Sequence, residues 1–189
     1  RVLYDYVSET SDTSQVIFSL RYGGYFYHKF KKTKIPVYSL SEIIRDKIFI
    51  GMVLGLFRRR KNVVVKAWMY HACVLSIMLK LLIPRLRIVW SIHHGNVDQR
   101  YDSISTKFAA RICAMFSKLV PSVIIYPSQS CLDSHVSFGF TRNNARVVFN
   151  PLAGKFVDQL FSSLAEVDDR RRRLGVNAVI AFVGRNHPN

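Results

Sequence analysis

Along most of the chain, short runs of branched and aromatic residues alternate with longer stretches of helical period. Gln15–Leu20, Ile35–Tyr38, Asn62–Trp68, Arg87–Ile92, Ser122–Tyr126 and Arg146–Phe149 read as strands. Between them, Tyr25–Lys31, Glu42–Phe57, Ala72–Ile83, the segment from Ile104 to Leu119, and Gln129–Ser137 read as helices. Local chemistry marks several boundaries. Pro36 sits near a strand start, where a missing N–H is tolerated. Ser41 is placed to cap the helix that follows it, and Pro84 to stop the one before it. In the segment from Ile104 to Leu119, the residues Ile104, Phe108, Ile112, Met115, Phe116 and Leu119 gather on one face, the mark of an amphipathic helix. Val123–Tyr126 shows no alternation and is expected to be buried on both sides.

Near-continuous apolar strands of four to eight residues, separated by helices, predict an α/β fold with a doubly wound, mostly parallel sheet of Rossmann-like type. In such sheets ligands sit outside the carboxyl ends of the strands, so candidate residues are sought just after each strand. Past Asn150-Pro151 the texture changes. Leu164–Leu174 is a charged helix with Glu166/Arg170 and Asp169/Arg173 at i,i+4 spacing, and Ala178–Val183 is a further strand ending in Gly184-Arg185. The expected organisation is one domain over 1–150, a linker and charged helix over 151–176, and the first strand of a second domain over 177–189. Because residue 1 is arginine and no leader pattern follows, the chain is expected to be a piece whose beginning has been lost.

Composition narrows the class. With 49% hydrophobic and 21% charged residues in 189, the chain has the material for a core and lacks the signature of disorder. Cys73, Cys113 and Cys131 are widely spaced, with no CxxC, so neither a disulfide framework nor a zinc site is expected and a reducing compartment is the natural home. The longest apolar runs, 48–57 and 72–83, fall short of the roughly 20 residues that cross a bilayer. A formal net charge of +16 points to nucleic acid, to an anionic membrane surface or to phosphate-bearing substrates. The basic residues are spread over many segments without an RRM, KH or helix-turn-helix signature, which counts against nucleic acid. The tract around Lys29–Lys34 and the helix Glu42–Phe57 with its Arg58–Lys61 end could instead dock on anionic headgroups; both also read as solvated charge.

Three polar clusters follow strand ends: Trp68-Met69-Tyr70-His71, His93-His94-Gly95-Asn96-Val97-Asp98, and Ser128-Gln129-Ser130 with His135 further along the helix. On a parallel sheet these loops share one edge and can line a common pocket. Each has a plainer reading: His71 and His135 as packed or surface residues, Ser128 as a helix N-cap. The His93-His94 pair is harder to explain by packing or turn chemistry, and imidazole can exchange protons near neutral pH. Gly184-Arg185 reads either as an ordinary turn or as a place where a phosphate meets backbone and a forked donor.

Taken in order, VVVKAWMYHA (63–72), IVWSIHHGNVD (88–98), IIYPSQSCLDSHVSFGF (124–140), ARVVFNPLAGKF (145–156) and IAFVGRNHPN (180–189) resemble the amino-terminal half of a GT-B glycosyltransferase of the retaining, family 4 type. The resemblance implies two Rossmann-like domains across a cleft, the first binding acceptor and the second a nucleotide-sugar donor. It implies transfer of a sugar to a cell-envelope saccharide or lipid-linked acceptor, without a metal or other cofactor. His93 matches the family's active-site histidine and His71 the histidine of the preceding strand-end motif. His94, Asn96, Ser128 and His135 fall on the acceptor side, and Gly184 and Arg185 match the donor-diphosphate pair. The resemblance also places such a protein in the cytoplasm, peripheral at the inner membrane. Another GT-B enzyme, such as a sugar epimerase, or a non-catalytic anion-binding module are the alternatives. The linker reads Asn150-Pro151-Leu152 where the family has Asn-Gly-Val-Asp. The family's glycine-rich loop would precede Arg1, so the chain alone is expected not to transfer sugar.

Overall fold

A computed structural model describes residues 15–20, 22–23, 25–33, 35–41, 55, 63–95 and 102–150. All of them lie within the compact unit Arg1–Asn150. The helix expected over 42–57, its basic end 58–61, and everything beyond Asn150 fall outside the described residues. The described elements alternate as β1 (Ile17–Ser19), α1 (Tyr25–Lys31), β2 (Val37–Ser39), β3 (Val64–Trp68), α2 (Met69–Leu82), β4 (Arg87–Ser91), α3 (Ile104–Phe116), β5 (Val123–Tyr126), α4 (Gln129–Phe138) and β6 (Ala145–Val147). Every strand pairing among them is parallel. The fold is α/β and Rossmann-like, as the alternation predicts.

The strands form two ladders, β1-β2 and β3-β4-β5-β6. In the larger ladder spatial order follows chain order. A parallel crossover is right-handed, so three successive steps in one direction lay α2, α3 and α4 on the same face. That face carries the core. Ile88, Trp90 and Ile92 of β4 and its extension are fully buried, as are Ile124 and Tyr126 of β5. Val89 and Ile125, pointing the other way, are half-buried. The expectation that β5 is buried on both sides therefore fails; its burial alternates because the described crossovers cover one face.

Helix α2 begins three residues earlier than its periodicity suggested. Met69 adopts φ 68°, a left-handed conformation that costs a non-glycine residue on the order of 1–3 kcal/mol. That single residue turns strand into helix without a loop, and it does so at the carboxyl edge of the sheet. The α3 helix departs further from expectation. Its buried residues are the small ones, Ala109, Ala110 and Cys113, while Ile104 is 85% and Phe108 66% exposed. The reason is close packing. Helices α2 and α3 lie against each other, and the Cys113 thiol reaches the Tyr70 carbonyl at 3.5 Å. Only small side chains fit at that approach, so the large apolar face turns outward.

Candidate functional site

Register brings the expected loops together. Trp68 pairs with Ser91, Ser91 with Ile125, and Tyr126 with Val147, so the strand ends before each polar cluster lie side by side on one edge. Two groups of side chains are built there.

The first centres on His93. Its ring lies on the Trp68 indole, with centroids 4.2 Å apart and planes 8° from parallel. The Lys66 ammonium sits 5.2 Å from the same indole. Lys66 and Trp68 are two apart on β3 and so share a face, a period-2 signal that could have flagged the lysine. His93 Nε2 is 2.9 Å from the Ser91 hydroxyl, whereas its buried Nδ1 has no hydrogen-bond partner. Burial first, and the Lys66 charge second, hold the imidazole below its usual basicity, with the nearby Asn150 amide opposing. A neutral, half-buried imidazole at a strand tip, stacked on a tryptophan, can meet a sugar hydroxyl or a developing charge once Nε2 exchanges its Ser91 partner.

The second group runs from Tyr70 to His94 on one side and His135 on the other. The His135 Nδ1–H donates to the Cys131 carbonyl at 2.7 Å, one helical turn back. In the neutral ring Nε2 is then an acceptor, and the Tyr70 hydroxyl donates to it at 2.6 Å. The Tyr70 oxygen in turn faces His94 Nδ1 at 3.3 Å, and His94 Nε2 lies 3.3 Å from Asp102. When protonated, His94 donates to Tyr70 and Asp102 at once. The Cys131 thiol closes the cluster by donating to the His94 carbonyl at 2.9 Å. Burial raises that thiol to about 11, so it is a packing and hydrogen-bonding group and not a nucleophile.

The expected site residues thus separate. His93 and His94 diverge into the two groups, both half-buried. His135 is fully buried among Tyr70, Tyr126 and Phe140 and reaches the edge only through the Tyr70 hydroxyl. Ser128 is the N-cap of α4, its hydroxyl accepting from the Cys131 N–H at 3.1 Å. His71 is exposed on the first turn of α2. Asn96, Gly184 and Arg185 lie outside the described residues. Trp68 and Tyr70, present in the sequence clusters as neighbours, and Asp102, which lies beyond them, carry the geometry. Cys73, Cys113 and Cys131 are free and buried. Among the described residues no His/Cys/Asp/Glu group is arranged to hold a metal ion, and no helix is long and apolar enough to cross a membrane.

Two expected results follow from the second group. Tyr70→Phe leaves His135 Nε2 buried without a donor and should lower the unfolding free energy by about 1–3 kcal/mol in urea titration. A wild-type midpoint would contradict the hydrogen-bond chain. His135 is held below its ordinary 6.5 chiefly by burial, aided by His94 and opposed by its bond to the Cys131 carbonyl. Below that value the unfolded chain takes up the proton more readily than the folded one. Stability is therefore full above about pH 6.5 and falls as pH drops toward the depressed folded value. Urea midpoints measured from about pH 7.5 to about pH 5.5 should decline, and less steeply in His135→Gln.

No protein-family model and no curated protein matches the chain. Solved structures do. HepE from Anabaena, in complex with UDP, superposes with a TM-score of 0.64 over 92% of this chain, at 17% identity. Structures of the same protein with UDP and glucose, and with UDP-glucose, each give a TM-score of 0.63. The chain spans 45–46% of the length of those structures. The α/β, Rossmann-like architecture described above is one that this chain shares with those structures.

Proposed function

We propose that the chain is the acceptor-side half of a retaining, family 4 type glycosyltransferase. It moves a sugar from a nucleotide-sugar donor to a cell-envelope saccharide or lipid-linked acceptor at the cytoplasmic face of the membrane. The observation that carries this is the strand-tip arrangement of His93 on Trp68, set in a fold shared with a protein that binds UDP-glucose. In this reading His93 contacts the transferred sugar. His94 and the exposed His71, with Asn96 and Ser128, meet the acceptor, and His135 positions His94 through Tyr70. Gly184 and Arg185 approach the donor diphosphate, whose charge is offset by basic side chains and helix N-termini without a metal.

The test is transfer. The reading frame that contains this chain is expressed and supplied with radiolabelled nucleotide-sugars and a membrane extract as acceptor. Label is expected in the saccharide or lipid fraction, with the anomeric configuration of the donor retained in the product. Absence of incorporation from every nucleotide-sugar tried would remove the assignment; inversion would remove the retaining part of it.

A further inference from the structure

The contact between α2 and α3 is built from small side chains, and two of them are thiols. Cys73 of α2 and Cys113 of α3 are free, and neither exposes any surface to solvent. The other buried residues of α3 are Ala109 and Ala110, which lets the two helices approach closely. The Cys113 thiol reaches the Tyr70 carbonyl at 3.5 Å, and the Cys73 thiol lies 4.0 Å from the Ala67 carbonyl. Both contacts belong to the start of α2, where Tyr70 stands about one turn before Cys73. There the two thiols hydrogen-bond to each other. Near them is the Tyr126 hydroxyl, buried and without a hydrogen-bond partner among the described residues. Cys131 is engaged elsewhere, donating to the His94 carbonyl at 2.9 Å.

We propose that Cys73 and Cys113 are a disulfide-forming pair, a dithiol that a low-molecular-weight disulfide oxidises to a covalent tie between α2 and α3. Thiols already in contact need only close to the roughly 2.05 Å of an S–S bond. Little is lost with their hydrogens, because S–H is a weak donor and both carbonyl contacts are long. One protein thiolate attacks the S–S bond of the reagent and releases a small thiol; the second attacks the mixed disulfide and releases another. Two electrons and two protons pass from the pair to the reagent. Burial first, and the shared hydrogen bond second, hold the Cys73 thiol well above its ordinary value. The reaction is therefore slow and proceeds through brief openings between the helices. In a reducing compartment the pair rests as the dithiol. Once made, the bond closes a loop of 40 residues and constrains the unfolded chain. It also withdraws the Cys113 donor from the carbonyl of Tyr70, the residue whose hydroxyl serves His135 and His94. No local spacing marks the pair in the sequence, and the inference stands independently of the sugar-transfer reading.

The test is native oxidation of the 189-residue chain by excess oxidised glutathione, followed by alkylation in denaturant and mass spectrometry. Wild type should lose about 2 Da, the two hydrogens of the new bond, and keep one alkylatable thiol of its three. After tryptic digestion, peptide 67–80 should be joined to 112–118, and dithiothreitol should separate them. Cys131→Ser should form the same link. Cys73→Ala and Cys113→Ala should each lose it, and the wild-type map needs neither variant to fold. The urea midpoint of the oxidised wild type should exceed that of the reduced chain, and Cys73→Ala should show no such rise. Three alkylatable thiols after native exposure overturn the proposal. A link through Cys131, or between two copies of the chain, overturns it as well. So does a stable glutathione adduct on either cysteine of the pair, because the neighbouring thiol should displace it. A midpoint unchanged or lowered by the bond would overturn the claim that native packing presents the pair for it.

Discussion

In the full reading frame that contains this chain, and on the proposed sugar-transfer reading, replacing His93 by alanine should lower transfer by about a hundredfold, while the unfolding midpoint moves little. The two halves of that expectation have separate causes. A group that meets charge developing at the sugar contributes in the transition state alone, and the removal of one such donor typically costs two to three orders of magnitude. Stability is balanced locally. The substitution forfeits the stack on Trp68 and the bond to Ser91, together on the order of 1–2 kcal/mol. It also removes a buried Nδ1 that has no partner, relieving a penalty of about the same size. Side by side, labelled-sugar incorporation and urea unfolding on one variant separate the two. Transfer at the wild-type rate would take His93 out of the mechanism. A loss of transfer matched by a loss of folding would make it a structural residue.

How much of this could be read in advance depends on which signal each feature leaves. The parallel strands were legible because buried β-branched runs such as Val63-Val64-Val65 and Val123-Ile124-Ile125 have few other readings. The edge that carries the site was legible because topology alone sets it. What a pattern of apolar residues does not carry is the distance between helices. In α3 the large residues form the stronger periodic stripe, yet Ala109, Ala110 and Cys113 face inward, since the space beside α2 admits nothing larger. The partnership of Tyr70 with His135, 65 positions apart, leaves no local trace either. His135 looked like a helix-face residue near a site. It is a buried support for one, and only the reach of the Tyr70 hydroxyl from the start of α2 to His135 decides between those. The divergence of His93 from His94 follows from alternation beyond β4: successive side chains point to opposite sides, one toward Trp68 and the other toward Tyr70.

Trp90→Ala should be the most damaging single change to the fold, at about 3–5 kcal/mol against a total stability of roughly 5–15 kcal/mol for a domain. Trp90 is the fourth of the five residues of β4, one of the two inner strands of the larger ladder, and is fully buried. Its indole N–H donates to the Ser76 hydroxyl at 2.9 Å, and Ser76 donates to the Cys73 carbonyl at 2.6 Å. The ring thus ties the sheet to the inner face of α2, and α2 holds Tyr70 at its other end. Alanine removes the volume and the donor together. Phenylalanine keeps most of the volume, and Ser76 keeps its own acceptor, so Trp90→Phe should cost about 1–3 kcal/mol. Urea denaturation of the two variants tests the ranking, and the comparison matters more than either value. Equal losses would mean that the hydrogen bond to Ser76, not the packing of the ring, fastens α2 to the sheet. The expected ranking makes the indole a spacer: it sets the height of α2 above β4, and with it the reach of the Tyr70 hydroxyl to His135 and His94. A Trp90→Phe variant that folds but loses the steeper acid sensitivity assigned to His135 would show that spacing at work.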